Sequence, residues 1–200
     1  MTKKKNKQTN RSSKLQLKNK AIGYFFVFLS LFIILFPAFL KDSQKLSPIK
    51  VSPDFKRENI KGLIPNRIMI PGVKIDLPVR EAKIINGYWQ VFEDTASFGQ
   101  GSAALGKKGN MVIFAHAKEG LFYNLKNVKE NDLIFVYNKN RKYTYKVKKI
   151  KTVYPSQTEV IAPTKNKTLT LYTCTGFYNE KRLIVVSEPV LLGSEAVLTF

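Results

Sequence analysis

The chain has 200 residues, 44% of them hydrophobic and 24% charged, which suffices for one packed domain with a tail and is too little for two full domains. Its 34 basic and 14 acidic residues give a formal net charge of +20, so nucleic acid, an anionic membrane or another acidic polymer are the neighbours to decide among. Cys174 is the only cysteine, which excludes an intramolecular disulfide and any multi-cysteine zinc site.

Residues 1–20 carry Lys3, Lys4, Lys5, Lys7, Arg11, Lys14, Lys18 and Lys20 with no acid, and read as a solvated basic tail. Residues 21–40 carry no charge. As a helix they would extend about 30 Å, the thickness of a bilayer's hydrocarbon core. The run is longer than the apolar region of a cleaved signal peptide and ends in Pro37-Ala38-Phe39-Leu40 without a small-x-small site, so a retained single-pass anchor is expected. The positive charges before it predict a cytoplasmic N-terminus, with residues 41–200 outside. Residues 41–63, polar and with Pro48 and Pro53, read as a tether between membrane and domain.

The folded part, 64–200, reads as strand and turn. Short strands are expected at Ile64 to Pro71, at Lys74 to Arg80 with Pro78 suggesting an edge, and at Gly87 to Phe92. A Gly-rich loop, 99–109, precedes the apolar strand Asn110 to Ala115, which stops at His116, the only histidine. One helical turn is expected within 120–125. A hairpin follows, 132–137 against 142–147, and a shift of apolar phase to Ile150 predicts a bulge. After the long loop Tyr154 to Lys167 comes Thr168 to Cys174, then a turn at Gly176 and Asn179, then a strand opening at Arg182. Alternation puts Thr168, Thr170, Tyr172 and Cys174 on one face, the more polar one, where a substrate would reach the thiol. Short strands at regular spacing argue for an all-β barrel or sandwich.

An unpaired thiol outside the cell is a hazard unless it is buried or used. Cys174 and His116 both stand at strand ends, which favours a catalytic pair over an inert core cysteine and a loop histidine. Glu93, Asp94 and Glu159 read as solvated surface in preference to calcium ligands, and no cofactor is expected.

Thr170-Leu171-Tyr172-Thr173-Cys174 resembles the Thr-Leu-x-Thr-Cys signature of the sortases, membrane-anchored transpeptidases of bacterial cell surfaces. The resemblance extends over residues 64–190, through Ile64 to Pro71, Gly109 to His116, Leu121 to Leu125, Asn131 to Val136 and Arg182 to Val186. It implies a closed β-barrel of about eight strands with a substrate groove on its outer wall. It further implies that Cys174 is the nucleophile, His116 the acid/base and Arg182 the group that holds substrate or stabilises the oxyanion; Thr173 is expected to bind substrate, and the backbone amides near Thr173 and Cys174 are placed to face the developing oxyanion. The loop Tyr154 to Lys167 corresponds to the loop lining the family's sorting-signal pocket. Ala115 departs from the Gly that many members have before the histidine, and Lys181 stands beside Arg182. Arg182 is preferred because its planar fork directs two donors at one carbonyl, whereas an ammonium is a point charge.

The implied reaction cleaves a C-terminal motif of the Leu-Pro-x-Thr-Gly kind in secreted proteins and joins the acyl group to an amine acceptor, a cell-wall precursor or a pilin-like lysine. A hydrolase using the same Cys/His pair and a non-catalytic, membrane-tethered β-module binding anionic surface polymers through Lys142, Lys146 and Lys148 are the alternatives. Nucleic acid is not expected as a partner, because no recognition motif is present.

Overall fold

A computed structural model describes residues 24–32, 49–51, 63–139 and 141–190. The chain divides into two compact units, Met1–Ser43 and Gln44–Phe200. In the first, residues 24–32 are helical, and Tyr24 to Leu29, Leu31 and Phe32 are all exposed, so this helix has no buried face. Among the described residues no helix is long and apolar enough to cross a membrane. The basic tail and the remainder of the expected anchor lie outside the described residues.

Among the described residues the second unit has ten strands: β1 (Arg67–Ile70), β2 (Ile75–Ala82), β3 (Ile84–Ile85), β4 (Tyr88–Trp89), β5 (Ala96–Gly99), β6 (Gly109–Phe114), β7 (Leu133–Asn138), β8 (Arg141–Val153), β9 (Lys167–Thr175) and β10 (Lys181–Pro189). Eight of them close a barrel in the order β1-β2-β5-β6-β9-β10-β8-β7, while β3 and β4 form a separate two-stranded hairpin. Closure removes the sheet edges that would otherwise template pairing with another chain. The β2–β5 and β6–β9 pairs are parallel and the others antiparallel.

Side chains alternate along each strand, and here both faces are used. Met111, Ile113 and Ala115 beside β9's Leu169 and Leu171 and β10's Leu183 and Val185 fill the barrel interior with Ile68, Ile70, Phe98 and Ile134. The opposite residues, Val112, Phe114, Tyr172, Cys174 and Ile184, form a second apolar layer on the outer wall with Ile49, Trp89, Val153, Val160 and Ile161. The face expected to be polar and open is therefore covered. Thr170, Tyr172 and Cys174 are 1%, 0% and 3% exposed, because elements far away in sequence lie over them.

Two of those covering elements revise the sequence reading. Within the stretch read as a tether, Ile49 is fully buried in the outer layer, Lys50 bridges to Tyr88, and the Val51 N–H donates to the Gly87 carbonyl at 2.9 Å. The strand expected over 87–92 reduces to the β3–β4 hairpin, whose Trp89 lies on the barrel wall. Gly99 permits this approach, since a Cβ there would stand 2.6 Å from two atoms of the indole.

Pro78 also sits differently from expectation, in a strand paired on both sides. The Val79 N–H points to β1, donating to Asn66 at 2.9 Å, so position 78 directs its absent donor towards β5, where pairing begins only at Val79–Ala96. The expected bulge is present: Val186 faces Lys149 and Ser187 faces Val147, leaving Lys148 unmatched. The expected helical turn is the 3-10 helix Phe122–Asn127, whose Phe122 and Leu125 are buried.

Candidate active site

Three adjacent strands bring the sequence-singled residues into one row. In the antiparallel pair β9–β10, Arg182 is the direct partner of Cys174, so both side chains project from the same outer face. In the parallel pair β6–β9, Phe114 is matched with Tyr172, and the Ala115 N–H still donates to the Tyr172 carbonyl at 3.4 Å. Two residues further along each chain stand His116 and Cys174. The order across the wall is thus His116, Cys174, Arg182, with neighbouring strands about 5 Å apart.

Behind the row the same faces carry an aromatic stack. Phe114 and Tyr172 are stacked with ring centroids 4.8 Å apart at 10°, and Trp89 continues the stack over Phe114 at 5.7 Å and 22°. Each aromatic of the inner pair precedes a row member by two residues, so the stack fixes the faces from which His116 and Cys174 project. Burial pushes the Tyr172 phenol far up, with the nearby Arg182 charge partly opposing and Cys174 adding to the rise. The phenol, thiol and guanidinium therefore share one electrostatic environment.

Hydrogen bonds involving the main chain hold the two outer members of the row, His116 and Arg182. The His116 carbonyl accepts from the Phe122 N–H at 3.0 Å, anchoring the end of β6 to the 3-10 helix. The Arg182 Nη1 donates to the carbonyls of Asn179 at 2.8 Å and Lys181 at 2.7 Å. These bonds brace a β9–β10 turn in which Gly176, Tyr178 and Asn179 have φ of 85°, 53° and 59°. For Tyr178 that left-handed backbone is intrinsically costly. Lys181 projects to the other face of β10, near Glu180 at 3.9 Å, as its neighbouring position in the strand requires.

Thr173 lies on the interior side of β9, and its hydroxyl donates to the Ala115 carbonyl at 2.8 Å. Its side chain ties the end of β6 to β9, so any contact it makes with a ligand on the outer wall is through the main chain. The loop Tyr154 to Lys167 closes one side of the site. Its 3-10 turn, Thr158–Ile161, inserts Val160 and Ile161 into the layer containing Cys174. Asn110 of β6 pins it by donating to the carbonyls of Val160 at 3.4 Å and Ala162 at 3.1 Å.

Sequence reasoning missed Glu93. Its Oε1 stands 3.2 Å from His116 Nε2, and its Oε2 accepts from Lys118 Nζ at 3.2 Å. The Lys118 hydrogen bond, reinforced by the His116 charge, holds the Glu93 carboxyl below the usual range. One exposed acid in a loop carries no local signal of this contact, which depends on the turn after β4 returning past the end of β6.

A β-barrel that carries a thiol between an imidazole and a guanidinium on its outer wall, under an apolar cover, has the make-up of a cysteine-nucleophile site. A family model described as the sortase domain matches residues 68–190. Sortase A of Bacillus anthracis is 32% identical over 138 residues, covering 65% of this chain and 60% of its own. Sortase A of Streptococcus agalactiae serotype III (strain NEM316) is 32% identical over 126 residues, covering 60% and 51%. Among solved structures, a lid mutant of sortase A from Corynebacterium diphtheriae superposes with a TM-score of 0.57 at 32% identity, covering 67% of this chain and 73% of that one. The chain belongs to the sortase family, whose members are known as cell-surface transpeptidases, and it spans between half and two thirds of the length of these two curated relatives.

Proposed function

We propose that this protein is a cysteine transpeptidase that cleaves a Leu-Pro-x-Thr-Gly-like motif between Thr and Gly and transfers the acyl group to an amine at the cell surface. The observation that carries the reading is the His116, Cys174, Arg182 row on adjacent strands of one wall. The Cys174 thiolate attacks the threonyl carbonyl carbon, and the carbonyl electron pair moves to oxygen. Arg182 and main-chain amides face that oxyanion, a contribution of about 3–4 kcal/mol per well-placed donor. Collapse re-forms the carbonyl and breaks the carbon–nitrogen bond, and His116 gives its proton to the departing amine. An incoming amine then attacks the thioester and loses a proton to His116, and the Cys174 thiolate leaves. The product is a new amide, with the enzyme restored.

An imidazolium and a guanidinium flanking the thiol both favour the thiolate that this chemistry needs. The site's apolar surroundings strengthen those charge interactions by excluding water. Retention at the membrane through residues 21–40, with the barrel outside, is part of the same proposal. It is supported by the uncharged run and by the helix with apolar side chains exposed on all sides at 24–32. Incubation with a motif-bearing peptide and an excess of a simple amine tests the reaction. The expected product is the amide of the peptide's N-terminal fragment, formed by the wild type and absent with Cys174→Ala. Release of the free acid alone, whatever the amine concentration, would replace transfer by hydrolysis.

A further inference from the structure

Resting on the transpeptidase reading, we propose that Glu93 is a positioning residue: its carboxylate holds His116 by Nε2 and leaves Nδ1 to exchange protons with Cys174 and the reacting amine. The contact joins two very different environments. The His116 side chain is 6% exposed and that of Glu93 73%, so an acid from the solvent side reaches a ring that is otherwise enclosed. Both carboxylate oxygens are engaged, Oε1 with His116 and Oε2 with Lys118, each at 3.2 Å. The Lys118 hydrogen bond sets the carboxylate beside the ring, and Oε1 meets Nε2 as an opposite charge at ion-pair distance, so holding the second contact costs little further entropy.

The main chain on each side of this contact is also restrained. Arg80 lies over the Phe92 ring at 4.0 Å and pairs with Asp94 at 3.8 Å, so the residues flanking Glu93 are both held by one guanidinium on β2. The Lys118 carbonyl accepts from the N–H groups of Leu121 at 3.1 Å and Tyr123 at 3.3 Å, which fixes the lysine's backbone at the head of the 3-10 helix. An imidazole that must give and take a proton in one turnover needs a defined ring orientation and a stabilised cationic form. A carboxylate on the far nitrogen supplies both. Among the described residues, Glu93 stands against the ring with Lys118 behind it, and Cys174 and then Arg182 follow His116 along the row. Glu93 is the acid among them.

The test uses the full chain with Glu93→Gln and Glu93→Asp, read by peptide turnover and by alkylation of Cys174 with iodoacetamide in the absence of peptide. Glu93→Gln is expected to lower kcat by about 5–20-fold, a modest loss because the acid is exposed. KM and Tm are expected to stay near the wild-type values, the alkylation rate near neutral pH to fall, and Glu93→Asp to recover part of kcat. Equal kcat and alkylation rates in Glu93→Gln and wild type would overturn the proposal. So would a loss of kcat that tracks a fall in Tm and is not relieved by Asp. Slower alkylation in Glu93→Gln with no peptide product from the wild type would uphold the Glu93–His116 coupling and sink the transpeptidase reading instead.

Discussion

Gly99→Ala probes how the outer layer supports the row, because the methyl group would enter the space held by Trp89. Its Cβ would lie 2.6 Å from two indole atoms and 2.9 Å from a third, against the 3.4 Å at which ordinary contact begins. The indole must therefore retreat by about 0.8 Å, or the glycine's strand must yield by the same amount. The backbone at Gly99 is not in the left-handed region, so the penalty is steric and not conformational. Trp89 has little freedom to retreat, being 1% exposed, stacked on Phe114, and fixed by its Nε1 donating to the Gln100 carbonyl at 2.9 Å. Overpacking of this kind costs about 1–3 kcal/mol, which for a domain of this size lowers Tm by roughly 4–12 °C. Trp89 is the only tryptophan, so its fluorescence reports the displacement directly while thermal unfolding reports the cost. Pairing the change with Trp89→Leu, which vacates the contested space, should show a coupling of about 1 kcal/mol or more in a double-mutant cycle. An unchanged emission spectrum together with a Tm within about 1 °C of wild type would refute the packing argument.

Thr173→Val keeps the shape of the side chain and removes the bond to Ala115, leaving a buried carbonyl unsatisfied at the end of β6; a loss of about 1–3 kcal/mol in urea unfolding is expected, and a loss below about 0.5 kcal/mol would mean that the tie is dispensable. The Glu93 carboxyl, held below its usual 4.5, should titrate below that value when followed by carboxyl carbon NMR. Because the folded state binds its proton less readily than the unfolded chain, whatever stability the cluster gives is complete above that range and is lost as pH falls through the lowered value. A Glu93 midpoint at or above 4.5 would show that the contacts with Lys118 and His116 do not persist in solution.

The barrel was legible in the sequence where a strand is apolar on the interior side and bounded by turns, as at Asn110 to Ala115 and through the 132–147 hairpin. Strand β5 escaped because Ala96-Ser-Phe-Gly99 has no branched run and little length, and its burial on every residue comes from neighbours on both faces. The polar reading of Thr170 and Tyr172 failed for a related reason. Thr and Tyr are tolerated equally on a solvated face and under a cover, and nothing within β9 announces that Ile49, Trp89 and Ile161 will lie above it. The row itself was within reach, since a chain with one histidine and one cysteine offers few pairings and the turn between Cys174 and Arg182 is short enough to make the strands neighbours. The same-face register of Cys174 and Arg182 depended on the length of that turn, including a left-handed Tyr178 that no propensity would select. Glu93 was out of reach because its partner is set by tertiary structure alone.

The central claim is that Cys174 forms the acyl bond. Intact-mass measurement of the full chain after brief exposure to a Leu-Pro-x-Thr-Gly peptide without added amine, followed by peptide mapping, tests it most directly. The account predicts a thioester adduct carrying the peptide's N-terminal fragment on Cys174 of the wild type, discharged by amine and absent from Cys174→Ala. Peptide cleavage by Cys174→Ala at the wild-type rate, with no adduct on the wild type, would contradict it.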